Sequence, residues 1–441
     1  MNRRELLTLA LASSLPNLGR AREGLRGIVV GAGVAGLAAA GALRKAGVAV
    51  TVLEARDRVG GRVWTDRSFG VPLDLGASWI HGVSGNPITK LCAQSGIATR
   101  PTSYADSLLY DRDGRRLSTS DASEARGGFR EVQGLVGRAS AWTWSDLSVA
   151  NSIDRALAGE QLDADDTRLF GWYRALMEAI TAADLRKLSS WYVDDDDGFG
   201  GGDHLFPGGY DQVISALARG LHVLTGHKVE EVEVKSTGVR VTANGRVFRA
   251  DGAIITLPLG VLQKGHVRFV PELPAAKLDA IQRLEMGVLD KVALRFPKAV
   301  WPTSSNFLGY VSERPRDIPM FLTVPGQPVL MGFVGGPPAR AMEARDDRAV
   351  VADATRVLRR MLGSRLPKPT QARITRWGAD PYAFGSYSHV PVGATSKDYD
   401  LIAMPAHERL FFAGEATSRK YRGTVHGALL SGLRAVEQAL S

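Results

Sequence analysis

Gly27-Ile28-Val29-Val30-Gly31-Ala32-Gly33-Val34-Ala35-Gly36 is a short apolar strand running straight into a G-x-G-x-x-G pattern. An Ala- and Leu-rich helix is expected from Val34 to about Ala46, and a second strand from Val48 to Leu53. Together they read as a βαβ unit whose second strand is closed by Glu54. The glycines have separate tasks. Gly31 makes the tight turn, Gly33 lets a pyrophosphate approach the backbone, and Gly36 lets the helix pack on the sheet. The helix N-terminus stabilises phosphate charge. Glu54 is placed to accept hydrogen bonds from both ribose hydroxyls, and an acid there disfavours a 2′-phosphate and hence NADP.

The next residues shift the reading from NAD towards FAD. Ala55-Arg56-Asp57-Arg58-Val59-Gly60-Gly61-Arg62 supplies a second glycine pair and fixed cations. Extra backbone donors and an arginine suit a longer pyrophosphate site, which an NAD enzyme does not need. Arg56, Gly61 and Arg62 are therefore cofactor candidates. The fold class is α/β, with a Rossmann-like dinucleotide domain.

Further along, residues 101–200 carry helical patterns, such as Ser148 to Ala158 and Ala164 to Ile180, with few strand signals. Strands are expected at Val229–Lys235, Val239–Ala243, Val247–Arg249 and Ala253–Leu257, with Asn244-Gly245 as a tight hairpin. Leu410 to Ala413 is a last buried strand, and a helix runs from His426 to the end.

A chain of 441 residues suits two domains. The formal net charge of +9 raises the question of nucleic acid, but the arginines are scattered and no nucleic-acid signature is present. A solvated basic surface is the better reading. The densest charge run is acidic, Asp194 to Asp197. The single cysteine, Cys92, excludes intramolecular disulfides, and the eight histidines show no metal-ligand grouping. Arg3-Arg4 before a short apolar stretch resembles a twin-arginine export signal, which implies a periplasmic location. No clear Ala-x-Ala cleavage site follows, so residues 1–25 are read as an extension or export signal, with a cytoplasmic location as the alternative.

Three further segments carry a specific resemblance: Leu75-Gly76-Ala77-Ser78-Trp79-Ile80-His81-Gly82, Phe411-Phe412-Ala413-Gly414-Glu415-Ala416-Thr417-Ser418, and Gly423-Thr424-Val425-His426-Gly427-Ala428. In this order they resemble the flavin-containing amine oxidases, from about residue 26 onward. The polyamine and spermine oxidases are the most similar subgroup. The resemblance implies an FAD-binding domain of the Rossmann-like GR2 type, built from residues 26–100, 203–275 and 395–441. An α+β substrate domain would occupy 101–202 and 276–394. It also implies that Glu54 binds the adenosine ribose, Arg62 lies near the pyrophosphate, and Val229 meets the adenine through its backbone. Gly76, Ala77, Trp79 and Gly414 would border the cofactor. Glu415 would contact its ribityl-pyrophosphate region, and Thr424 and Val425 would place backbone donors near the isoalloxazine. Ser418-Arg419-Lys420-Tyr421 stands where some members carry a flavin-bearing cysteine, so noncovalent FAD is expected.

Lys291, in Leu289-Asp290-Lys291-Val292-Ala293-Leu294, sits in a strand-like run, and burial there depresses a lysine pKa. By resemblance it holds a water at flavin N5 and assists oxygen chemistry. Trp377 would pack against the flavin and Tyr387 would form one wall of the substrate cavity. Thr424 stands where monoamine oxidases place a second tyrosine, which disfavours an aryl monoamine. His81 is expected to face an inner amine, and Glu178 to pair with a distal ammonium. Asp194 to Asp197 would enrich polycations at an entrance.

The reaction so implied is oxidation of a polyamine by hydride transfer from a carbon beside a neutral nitrogen to flavin N5. O2 then reoxidises the flavin, and the products are an aldehyde, an amine and hydrogen peroxide. An L-amino-acid oxidase would need an arginine for the substrate carboxylate, and none is assignable. A histone demethylase is disfavoured because no long helical-hairpin insertion is visible. A flavin-binding protein without turnover is the alternative of another class. Oligomeric state is left open.

Overall fold

The computed structural model describes residues 24–441 apart from 142–144, 159–160, 162, 196, 313 and 315–316. The twin-arginine stretch and Asp196 therefore lie outside the described residues.

A five-stranded parallel sheet carries the dinucleotide unit. Its order is Leu410–Phe412, Gly252–Ile255, Arg26–Val30, Ala49–Leu53 and His222–Leu224. Val30 lies between Leu53 and Ile255, so the three strands end level beneath the Gly31 turn. Parallel strands need crossovers, and the helix Val34–Lys45 supplies the first. The last helix, Val425–Leu440, packs on it closely. A Cβ on Gly432 would overlap the Ala35 carbonyl, so glycine is required at this crossing.

Beside it lies a four-stranded sheet containing Val229–Lys235 and Gly238–Ala243. The latter is joined to Arg246–Ala250 through Asn244 and Gly245, both with positive φ, 47° and 72°. That is the backbone a two-residue hairpin turn demands.

The second large sheet has six strands. Their order is Gln371–Ile374, Leu289–Arg295, Val329–Gly335, Met320–Thr323, Phe307–Tyr310 and Ser107–Tyr110. Val329–Gly335 is buried at every position, which explains its unbroken apolar run. Ser107–Tyr110 is a short strand within residues 101–200, where few strand signals are expected. It pairs in parallel with Phe307–Tyr310, a partner about 200 residues away. The helices expected there do form, as Val149–Ala156 and Ala164–Thr181.

A small three-stranded sheet joins Trp79–Ile80, Asp203–Leu205 and Arg100–Thr102. Ile80 pairs with His204, which sets His81 beside Asp203. No helix among the described residues is long and apolar enough to cross a membrane.

Candidate active site

A cavity of about 750 Å³ runs from the Gly31 turn to the acidic loop at Asp194. Gly31 has φ +104°, and a Cβ there would meet Thr256 Oγ1 at 2.5 Å. Gly33 has open space where its Cβ would be, and it lines the cavity. Gly36 does not line it. Its Cβ would overlap the Gly31 carbonyl, so it is a packing glycine. Gly61 faces Gly33, with a Cβ position 3.6 Å from the Gly33 Cα. Glu54 is buried; one carboxylate oxygen accepts from Ala32 N at 2.8 Å and the other from Arg56 N at 2.9 Å. Each oxygen keeps a lone pair for a further donor.

Arg56 borders the cavity, but its fork is engaged. It grips Asp380 at 2.7 and 2.9 Å and lies 5.2 Å over the Tyr382 ring. Arg62 donates to Glu415 at 2.7 Å and to the Ser386 carbonyl at 3.0 Å. The second Glu415 oxygen accepts from Ser388 Oγ at 2.6 Å and Gly423 N at 3.1 Å. Glu415 thus holds the cavity wall together rather than offering a free carboxylate. Gly76 lets the backbone pass Arg62, whose carbonyl accepts from Ala77 N at 3.0 Å. Gly414 has open space at its Cβ position, and Val229 opens its strand at the cavity. Thr424 caps the final helix, accepting from Gly427 N at 3.0 Å, and Val425 follows it on the wall.

Lys291 is 3% exposed. Its Nζ donates to Asp74 O at 2.7 Å, Gly76 O at 2.5 Å and Ser78 Oγ at 2.6 Å. Burial pulls its pKa down to about 7, against a smaller upward pull from Asp74. The ammonium matches all three acceptors. The neutral amine has two protons and a lone pair, which the Ser78 hydroxyl is placed to fill. Trp377 is buried and donates through Nε1 to Leu75 O at 3.1 Å. Behind both lies Asp290, 0% exposed, whose Oδ1 accepts from Thr375 Oγ1 at 2.7 Å and Trp377 N at 2.9 Å. The Glu343 carboxyl is its remaining side-chain hydrogen-bond partner, which requires a proton on one of the two acids. Burial, with Glu343 nearby, pushes Asp290 up to about 8.

At the substrate end, Tyr387 lines the cavity and donates to the Ile180 carbonyl at 2.6 Å. His81 lines it too, with Nδ1 3.0 Å from Asp203. His426 and His389 are buried on the wall, and burial pushes each down to about 4, so both rings are neutral at ordinary pH. Glu178 is not in the cavity, contrary to expectation. Met177 and Ala179 line it, whereas the Glu178 side chain turns towards Asp184, Arg186 and Arg174. Helical geometry sends consecutive side chains in different directions, and this glutamate has the outer one. In the acidic loop, Asp194 and Asp197 reach the cavity, but Asp197 pairs with Lys420 at 3.4 Å and Asp195 with Arg419 at 4.0 Å. The run is therefore partly neutralised.

Asp203, Tyr104, Phe199 and His426 also line the cavity and were not singled out from sequence as site side chains. No local pattern marks Asp203, Tyr104 or Phe199, whereas His426 falls within the motif at the start of the last helix. Only the pairing of distant strands and loops brings those three to it.

An open glycine cradle, an acid at the strand end and a buried lysine facing an aromatic wall define a flavin-dependent oxidoreductase. The open positions at Gly33 and Gly414 and the lone pairs of Glu54 fit FAD. Over residues 34–440 the chain matches the flavin containing amine oxidoreductases, and it belongs to that family. FAD is accordingly its cofactor. It is 39% identical over 430 residues to lysine-specific histone demethylase 1 homolog 3 of Oryza sativa subsp. indica, covering 92% of this chain and 53% of that protein. It is 38% identical over 432 residues to FLOWERING LOCUS D of Arabidopsis thaliana, covering 92% and 54%. With polyamine oxidase 2 of Arabidopsis thaliana the identity is 37% over 428 residues, covering 93% of this chain and 87% of the relative. The chain thus spans about half the length of the demethylase relatives.

Proposed function

We propose that the protein oxidises a polyamine at the carbon beside one of its nitrogens; water then hydrolyses the resulting iminium to an aldehyde and an amine, and O2 takes the two electrons to become hydrogen peroxide. The observation that carries this reading is the charge pattern of the cavity. Its lining arginines are already bound: Arg56 to Asp380, Arg62 to Glu415, and Arg422 to the Asp195 and Tyr192 carbonyls. Among the described lining residues no arginine is left to recruit a substrate carboxylate, which disfavours an amino acid. The substrate end instead carries Asp203 and Asp194 with aromatic walls, Asp197 being tied to Lys420, a setting for a chain with several ammonium groups.

Bound FAD supplies the electron acceptor for the amine and passes the electrons to O2. The protein orients and excludes water. Tyr387, its hydroxyl tied to Ile180, is a fixed wall for the alkyl chain. Lys291 holds or releases a proton at Nζ near neutral pH, beside Trp79 and Phe333. The FAD is held noncovalently, because Cys92 lies in the hydrophobic core rather than on the cavity wall. Export through the paired arginines would place this activity outside the cytoplasm.

A second reading, demethylation of a methylated lysine, has the similar identity to both groups of relatives behind it. The test is anaerobic mixing of the yellow holoprotein with spermine, spermidine, benzylamine, leucine and a dimethyl-lysine peptide. Bleaching of the flavin band by the polyamines supports oxidation of free polyamines. Bleaching by the peptide, leucine or benzylamine alone overturns that substrate.

A further inference from the structure

We propose that Asp203, with His81 and the rings of Tyr104 and Trp79, forms a second ammonium subsite, which takes a charged substrate nitrogen other than the one being oxidised. The proposal rests on the polyamine reading and narrows it to polyamines whose second nitrogen is free and protonated.

Asp203 lines the cavity with its side chain 24% exposed. Its Oδ1 accepts from Gly82 N at 3.0 Å, and its Oδ2 meets His81 Nδ1 at 3.0 Å. One partner per oxygen leaves lone pairs for an incoming N–H. The carboxylate is also a standing anion. Burial pushes its pKa up, but the His81 contact, the Gly82 N–H and His204 outweigh this and hold it below the usual range. Among the described residues its only ion-pair partner is His81, whereas Asp195 and Asp197 face Arg419 and Lys420.

The aromatic side of the subsite is equally built. Trp79 stacks with His81 at 6.3 Å between centroids and leans on Tyr104 at 6.5 Å. Tyr104 stacks in turn on Phe307 at 4.9 Å, and the Asp203 charge reaches its phenol. Ring faces and one carboxylate are what an alkylammonium needs in a partly dry site. An amide nitrogen is uncharged and gains little here, so N-acetylation at the second position costs affinity. A monoamine leaves the subsite unused.

The experiment compares spermidine, N-acetylspermidine and N-butylpentylamine, which is spermidine with both terminal nitrogens replaced by carbon. Dissociation constants for the holoprotein come from the concentration dependence of anaerobic flavin reduction. Where no reduction follows, the flavin spectral shift reports binding. The wild type is expected to bind spermidine at least roughly tenfold tighter than the carbon analogue. Asp203→Asn should shrink that ratio to about threefold or less, because the isosteric amide keeps the shape and loses the charge. Equal binding of spermidine and its carbon analogue by the wild type overturns the subsite without any variant. So does a ratio that survives in Asp203→Asn. Selective binding that collapses in the variant, without flavin reduction, upholds the subsite and sinks polyamine oxidation. Reduction by spermidine with a ratio indifferent to Asp203 does the reverse.

Discussion

Arg62 and Glu415, 353 residues apart in sequence, meet over 2.7 Å on the cofactor wall. Glu415 also takes Ser388 and Gly423, so one carboxylate joins the Arg62 loop, the Tyr387 wall and the entry to the last helix. Removing it leaves several buried donors unsatisfied, at roughly 1–3 kcal/mol each. Glu415→Ala should therefore weaken FAD by about ten- to a hundredfold. The ratio of flavin to protein absorbance during dialysis measures this. Full flavin retention would show that the bracket does not support the cofactor.

The glycines of the dinucleotide turn separate cofactor space from fold. Gly33 has φ −78° and nothing near its Cβ position, so alanine is compatible with the backbone and intrudes only into the cavity. Gly33→Ala is expected to fold, with a normal circular dichroism spectrum, and to bind FAD at least roughly tenfold more weakly. Gly36→Ala would press on the Gly31 carbonyl and should lower the yield of folded protein itself. Equal flavin content in Gly33→Ala and wild type would contradict this assignment.

Neighbouring residues on one strand carry opposite pH linkage. Asp290 is raised from 3.8 to about 8, so between those values the folded state binds more protons than the unfolded one. Its contribution to stability falls as pH rises across that window. Lys291 is lowered from 10.5 to about 7, so from there up to 10.5 the unfolded state binds more protons and stability rises with pH. Asp290→Asn keeps an acceptor for Thr375 and Trp377 and loses the charge. It should raise Tm by a few degrees at about pH 9 and by clearly less at about pH 5, where only the start of the window has been crossed. Lys291→Met should flatten the rise above about pH 7. Thermal melts across pH decide. A Tm gain for Asp290→Asn that is the same at both pH values would rule out the titration.

The parts of the site that are legible in the sequence are local. Gly31 to Gly36 and Glu54 can be read directly, because one strand, one turn and one helix hold them together. Lys291 is legible as a strand residue, but its burial depends on the carbonyls of Asp74 and Gly76, more than 200 residues away. The His81–Asp203 pair depends on two short strands meeting across 122 residues. Ser107–Tyr110 has no strand signal strong enough to stand alone and is ordered by its sheet partner. Glu178 lies off the cavity for a different reason. The helix itself is legible, but a helical pattern does not say which neighbour each face meets.

That last point is open to direct test. Glu178 is half-buried, and burial, then the charge of Asp184, pushes its pKa up to about 7, so it lies near its own midpoint at neutral pH. Its neighbours Met177, Ala179, Ile180 and Thr181 line the cavity, whereas Glu178 does not. Glu178→Gln should change the dissociation constant for spermidine by less than about twofold, since no charge is removed from the cavity. Its effect belongs to stability. The raised pKa means the folded state favours the protonated acid, so stability from this group falls as pH rises from 4.5 to about 7. The glutamine variant should be more stable than wild type above about pH 7 and similar below about pH 5. A large loss of spermidine affinity in Glu178→Gln, with Tm unchanged, would restore it as a substrate residue and require the helix to turn towards the cavity when the amine binds.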